Sequence, residues 1–99
     1  MTGLVIFAPE AASDVEQAYD WYEMQEPGLG EDFLRCVEAC VLLIRRHSRM
    51  FPVAADDCRR ALIRRFPFEI FYETSDGAVI IYSVFHCSKN PEIWQHRLP

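Results

Sequence analysis

Apolar positions come along the chain first as a short unbroken run, then at helical spacing, then in strict alternation. The run Leu4-Val5-Ile6-Phe7 is rich in β-formers and stops before Pro9, which suits the first turn of a helix and ends a strand ladder. Val15, Ala18, Tyr19 and Tyr22 then fall at i, i+3, i+4 and i+7 and predict a helix, with Asp14, Glu16, Gln17 and Asp20 around the rest of the cylinder. Trp21 and Met24 lie off that stripe. Pro27-Gly28-Leu29-Gly30 is a turn short enough to fold a second helix back on the first. Its stripe is Phe33, Val37, Cys40, Val41 and Ile44, with Glu31 and Asp32 in the first turn and Arg45, Arg46 and His47 at the end, the charge order that the helix dipole favours. Leu42 points away from this stripe and joins Trp21 and Met24 as a candidate exposed apolar surface.

Beyond the Phe51-Pro52 break the period changes to two, predicting strands at about 58–66, 67–74 and 78–86. Asp76-Gly77 marks a tight hairpin between the last two, and Phe66-Pro67 a bend before them. Phe66, Phe68, Ile70 and Tyr72 alternate onto one face, as do Ile80, Tyr82, Val84 and His86. With Ala61 and Ile63 inward, Arg60, Leu62 and Arg64 face outward. The expected architecture is α+β in the order βααβββ, a helical hairpin on one face of a small, mostly antiparallel sheet.

At 99 residues the chain is read as one domain, 1–99, and 51% hydrophobic with 25% charged residues is ordinary globular composition. No apolar run approaches a bilayer span and the first residues lack a signal-peptide pattern, so a soluble cytoplasmic protein is expected. Free thiols follow for Cys36, Cys40, Cys58 and Cys87. Cys36 and Cys40 are spaced to share a helix side, and Cys58 or His86-Cys87 could complete a zinc site, but without a CxxC pair core packing is the better account and no metal or cofactor is expected.

Charge is unevenly distributed. Residues 1–44 carry nine acids against Arg35 alone, a net of −8, whereas residues 45–65 carry seven arginines against two aspartates, a net of +5. The whole sums to −5, which disfavours general nucleic-acid binding. The basic stretch nevertheless offers Arg60, Arg64 and Arg65, followed later by Lys89, to a phosphate or an acidic protein surface. Solvation, or pairing with Asp56, Asp57 and Glu73, is the plainer use of these arginines.

There is no P-loop, GxGxxG, HExxH or nucleophile elbow. Metal-independent RNA cleavage needs a proton-transfer pair and cations for the phosphorane, and His86, His47 or Glu69 with Arg60, Arg64, Arg65 and Lys89 would suffice. A strand-end histidine bonded to backbone is the plainer reading of His86, and core packing that of the sheet aromatics.

Glu10-Ala11-Ala12-Ser13-Asp14, Ala18-Tyr19-Asp20-Trp21-Tyr22-Glu23 and Pro27-Gly28-Leu29-Gly30-Glu31-Asp32-Phe33 together resemble the RelE/ParE toxin superfamily. Arg60-Ala61-Leu62-Ile63-Arg64-Arg65-Phe66-Pro67-Phe68, Val84-Phe85-His86 and Asn90-Pro91-Glu92-Ile93-Trp94 extend the resemblance over nearly the whole chain. It implies a toxin of a type II toxin–antitoxin pair of the kind tied to plasmid stabilization, bound and neutralised by a cognate antitoxin in a hetero-oligomer. RelE-like members cut ribosome-bound mRNA, and ParE-like members inhibit DNA gyrase without a known catalytic set. Relatives commonly read His-Gly-Arg-Arg before Asp or Asn and Pro, whereas this chain has His86-Cys87-Ser88-Lys89-Asn90-Pro91, and its acidity is unlike that of the ribosome-dependent nucleases. The expectation is therefore a ParE-like, non-enzymatic gyrase inhibitor. Its target would be met by Arg60, Arg64, Arg65 and Lys89 and its antitoxin by Trp21, Met24 and Leu42. The alternatives are an mRNA endonuclease using His86 for proton transfer with Arg64 or Arg65 on the phosphate, and a degenerate toxin that only binds antitoxin.

Overall fold

A computed structural model of the chain describes residues 3–88. Its elements are β1 (Leu4–Phe7), α1 (Pro9–Gln25), α2 (Leu29–Arg46), β2 (Val53–Ala55), β3 (Cys58–Leu62), β4 (Phe68–Ser75) and β5 (Ala78–His86). The two helices form the expected hairpin against one face of the sheet. Pro9 opens α1, where its missing N–H costs no helical bond. At the turn Gly28 takes φ 91°, a left-handed conformation that glycine adopts without strain. The cap of α2 comes from the other helix: the Glu23 carboxylate accepts the backbone N–H of Gly28 at 3.0 Å and of Gly30 at 2.8 Å. A negative group is thereby placed on the positive end of α2. Gly30 is required by this contact, since a Cβ there would lie 2.6 Å from Cγ of Glu23 and 2.8 Å from the Tyr19 carbonyl oxygen.

The sheet has five strands in the order β1-β5-β4-β3-β2, with β1 parallel to β5 and the remaining pairs antiparallel. This is the anticipated α+β arrangement with one further strand, the three-residue β2, which is too short to show an alternation. The strand expected over 58–66 stops at Leu62. Arg65 adopts φ 71° and Pro67 has no N–H to offer, so the ladder cannot run through them. At the β4–β5 hairpin Asp76 and Gly77 both have positive φ, 49° and 77°, as a two-residue type I′ turn requires.

One expected alternation is broken. Ile70 pairs with Val84 and Phe71 with Ser83, but Tyr72 pairs with Ile81, so β5 holds an extra residue, Tyr82, at a bulge. Val84 and His86 keep the helix-side face, while below the bulge that face passes to Val79 and Ile81 instead of Ile80 and Tyr82. Without the shift, Val79 and Ile81 would turn away from the helices.

The main core lies between helices and sheet, where Phe33, Ile44, Ile70, Tyr72, Val79, Ile81 and Val84 are all essentially inaccessible. Each such side chain contributes about 1.5–3 kcal/mol by leaving water. The ring of Tyr22 stands 5.4 Å from Phe33 and 4.9 Å from Phe66 and fastens α1 to the start of the meander. A smaller cluster of Cys58, Phe71 and Phe85 occupies the opposite sheet face. Arg59, counted above among the basic residues, is structural: its Nη1 donates to the carbonyls of Phe51 at 2.6 Å and Arg49 at 3.2 Å and holds the chain that leads into β2.

Candidate partner-binding surfaces

Beyond Ile81 the outer side of β5 passes from β1 to α1, because the chain leaves the sheet at Ala8 and enters the helix. There the Asp14 carboxylate accepts the N–H of Val84 at 3.0 Å. The helix and the strand end diverge from this bond and leave a cleft of about 590 Å³, bounded by Asp14, Gln17 and Trp21 on one side and Phe68, Val84 and His86 on the other. Pattern reading picked out Trp21 and His86 for separate reasons, and the fold places both on this cleft. It missed Asp14 and Gln17, whose polar spacing on α1 resembles that of any solvent-facing helix side.

His86 stacks edge-on against Phe68 at 5.3 Å. Its Nδ1 accepts the backbone N–H of Ser88 at 3.1 Å and lies 2.7 Å from the Ser88 hydroxyl. A ring nitrogen that accepts an N–H carries no proton of its own, so the proton of the neutral ring sits on Nε2. The lone pair a general base would use is then already engaged.

The arginines are dispersed. Arg60 is exposed on β3 opposite Phe71, on the sheet face turned away from the helices, whereas His86 pairs with Phe68 on the helix side. Arg64 is exposed in the β3–β4 connection. Arg65 reaches back to the first turn of α2, with Nη2 3.8 Å from Asp32 and its guanidinium 5.4 Å from the centre of the Phe66 ring. The cation–π contact and the exposed ion pair each contribute about 0.5–1 kcal/mol at most. Lys89, like Trp94, lies outside the described residues.

Trp21 and Met24, 57% and 83% exposed, share the C-terminal half of α1. Leu42, 44% exposed, is not with them but beside a second groove of about 500 Å³ against Phe7 and Val41. All four cysteines are free thiols, and among the described residues no cluster of three or more His, Cys, Asp or Glu could hold a metal. Burial pushes the Cys40 and Cys58 thiols up to about 11, which makes them poor nucleophiles. Among the described residues no helix is long and apolar enough to cross a membrane.

A helical hairpin on a five-stranded sheet, with two apolar grooves and cations spread over different faces, defines a small α+β module. The chain belongs to the ParE toxin family: the family described as the ParE toxin of the type II toxin–antitoxin system parDE matches residues 5–91. Among solved structures, a chain of the chromosomal ParDE toxin–antitoxin system from P. aeruginosa has a similar fold. The TM-score is 0.64 at 18% identity, over 86% of this chain and 96% of that one. No curated protein matches the chain.

Proposed function

We propose that this ParE-family toxin arrests growth by binding DNA gyrase through protein–protein contact, and that a cognate antitoxin neutralises it by covering the apolar positions Trp21, Met24 and Leu42. Arg60 and Arg64 supply cations that meet the target, and Arg65 and Lys89 are the further basic residues assigned to it. The observation that carries this reading over RNA cleavage is the scatter of the catalytic candidates. His86 and Arg60 occupy opposite faces of the sheet, the His86 Nδ1 is taken by Ser88, and Arg65 is drawn toward Asp32. A scissile phosphate needs its acid, base and cations within hydrogen-bond reach of one another. A net charge of −5 also repels ribosomal RNA.

The test is induction without antitoxin, with growth, primer extension on abundant mRNAs and plasmid supercoiling followed in the same cells, and a supercoiling assay with purified gyrase. Arrest with intact transcripts and lost negative supercoiling is expected. The double substitution Arg60→Glu and Arg64→Glu should weaken gyrase inhibition about tenfold or more while antitoxin affinity is kept. Codon-phased mRNA cuts would replace this reading with an endonuclease. Full growth at adequate expression would leave a chain that binds antitoxin and harms nothing.

A further inference from the structure

The end of β5 carries a pair of side chains that take no part in the proposed gyrase contact. Ser88 stands where the His-Gly-Arg-Arg pattern of the relatives has an arginine, so the pair belongs to this chain and not to that pattern. The Ser88 hydroxyl lies 2.7 Å from Nδ1 of His86, and the Ser88 backbone N–H donates to the same nitrogen at 3.1 Å. Because Nδ1 must be unprotonated to accept the N–H, the O–H is the donor in the shorter contact. A hydroxyl donating to an unprotonated imidazole nitrogen at this distance is the arrangement that activates a serine, since the ring takes the proton as the oxygen attacks. The engagement that withholds Nδ1 from an outside hydroxyl thus directs it to Ser88.

The turn that carries the pair is held at both ends. The His86 ring packs edge-on against Phe68 at 5.3 Å, and the N–H of Cys87 donates to the Pro67 carbonyl at 2.8 Å. Ser88 itself is exposed and open to a reagent. Its neighbour is a poor competitor, because burial and the Glu69 carboxylate hold the Cys87 thiol above its ordinary value.

His86 is also the residue that the pair shares with the cleft of about 590 Å³ between α1 and β5. That cleft presents Trp21, Phe68 and Val84 as apolar surface, which suits a short hydrocarbon group. One wall is α1, which carries Glu10, Asp14, Glu16, Asp20 and Glu23 and no basic residue, so an anionic compound is repelled.

We propose that Ser88 and His86 form a nucleophile–base pair that hydrolyses uncharged carboxylic esters whose apolar acyl group lies in the α1–β5 cleft. Ser88 Oγ bonds to the ester carbon while its proton passes to Nδ1. The bond from that carbon to the alcohol oxygen breaks, and the proton leaves with the alcohol. Water then attacks the acyl-serine, gives a proton to Nδ1 and releases the acid as Oγ regains its hydrogen.

The experiment uses the full-length toxin and p-nitrophenyl butyrate, with nitrophenolate release followed by absorbance and the acylated residue mapped by mass spectrometry of peptides. Release should be about a hundredfold faster than from Ser88→Ala, and His86→Gln should fall to within a few-fold of that variant. The butyryl group should be found on Ser88. The p-nitrophenyl monoester of succinate, which adds a carboxylate to the acyl group, should react about tenfold more slowly. Near-ultraviolet circular dichroism checks that each variant keeps the fold; if His86→Gln does not, Ser88→Ala, which alters an exposed side chain, and the mapped adduct decide. Equal release from Ser88→Ala, or acyl groups on Cys87 or Lys89 alone, would overturn the nucleophile and leave the toxin reading intact. Equal rates with the two esters would overturn the part given to the cleft.

Discussion

Tyr72 shows how a single buried hydroxyl ties distant segments. Its ring lies in the core on β4, and its O–H donates to the carbonyl of Ser48, in the connection that follows α2, at 2.6 Å. Burial pushes its phenol up to about 12, with Arg59 partly opposing, as burial pushes the Cys40 and Cys58 thiols up to about 11. All three favour the neutral form in the folded state. Their contribution is complete below the unfolded values of 9 for the thiols and 10 for the phenol, and is lost as pH rises through the folded values. The urea midpoint should therefore hold steady up to about pH 8 and fall steeply above pH 9. Tyr72→Phe should lose about 1 kcal/mol at pH 7 by leaving the Ser48 carbonyl with one partner fewer. The same variant should show a shallower decline between about pH 10 and 12, because the group that titrates there is gone. Equilibrium unfolding across that range checks both.

At the level of elements, both helices and the β4–β5 hairpin were legible because each depends on neighbours in sequence. The stripe of α2 and the Asp76-Gly77 turn are local signals, and Phe33, Val37, Cys40 and Ile44 are all buried. The bulge was not legible, because an extra residue on β5 has meaning only relative to the partner strand and leaves the run Ala78 to His86 equally apolar on both faces. The three residues of β2 were hidden for a related reason, since they become a strand only by pairing with β3. The candidate site was legible residue by residue but not in its grouping. Trp21 and Leu42 both stand off their helix stripes, yet they border different grooves. Deleting Tyr82 tests the bulge directly. With the extra residue gone, Ser83 and Ile81 become neighbours and Val79 and Ile81 keep the helix-side face in plain alternation, so the deletion variant should retain cooperative thermal unfolding and its near-ultraviolet signal.

Across the whole molecule the two signs of charge are assigned to different work. The acids of α1 line one layer, and Arg60 projects from the sheet face on the other side. On the proposed function, steering by Arg60 and Arg64 would act through solvent and be screened by salt, whereas burial of apolar side chains in a groove is not weakened by it. Raising salt from about 0.05 to 0.5 M should slow association with the proposed gyrase target roughly fivefold or more, with a much smaller change in antitoxin dissociation. Stopped-flow or surface-binding kinetics on the two partners would separate the effects.

The parallel pairing of β1 with β5 has a consequence for the order of events in the cell. β1 is made before the other described elements, but its only partner strand among the described residues is the last of them to be made, so the helical hairpin waits with part of its core uncovered until Ala78 to His86 have been translated. A nascent chain cannot assemble the toxic fold, and one cut short before β5 is not a smaller toxin but an unfinished sheet. On the proposed function, translation itself thus imposes an interval between the start of synthesis and the first harm, during which an antitoxin made alongside can already be present.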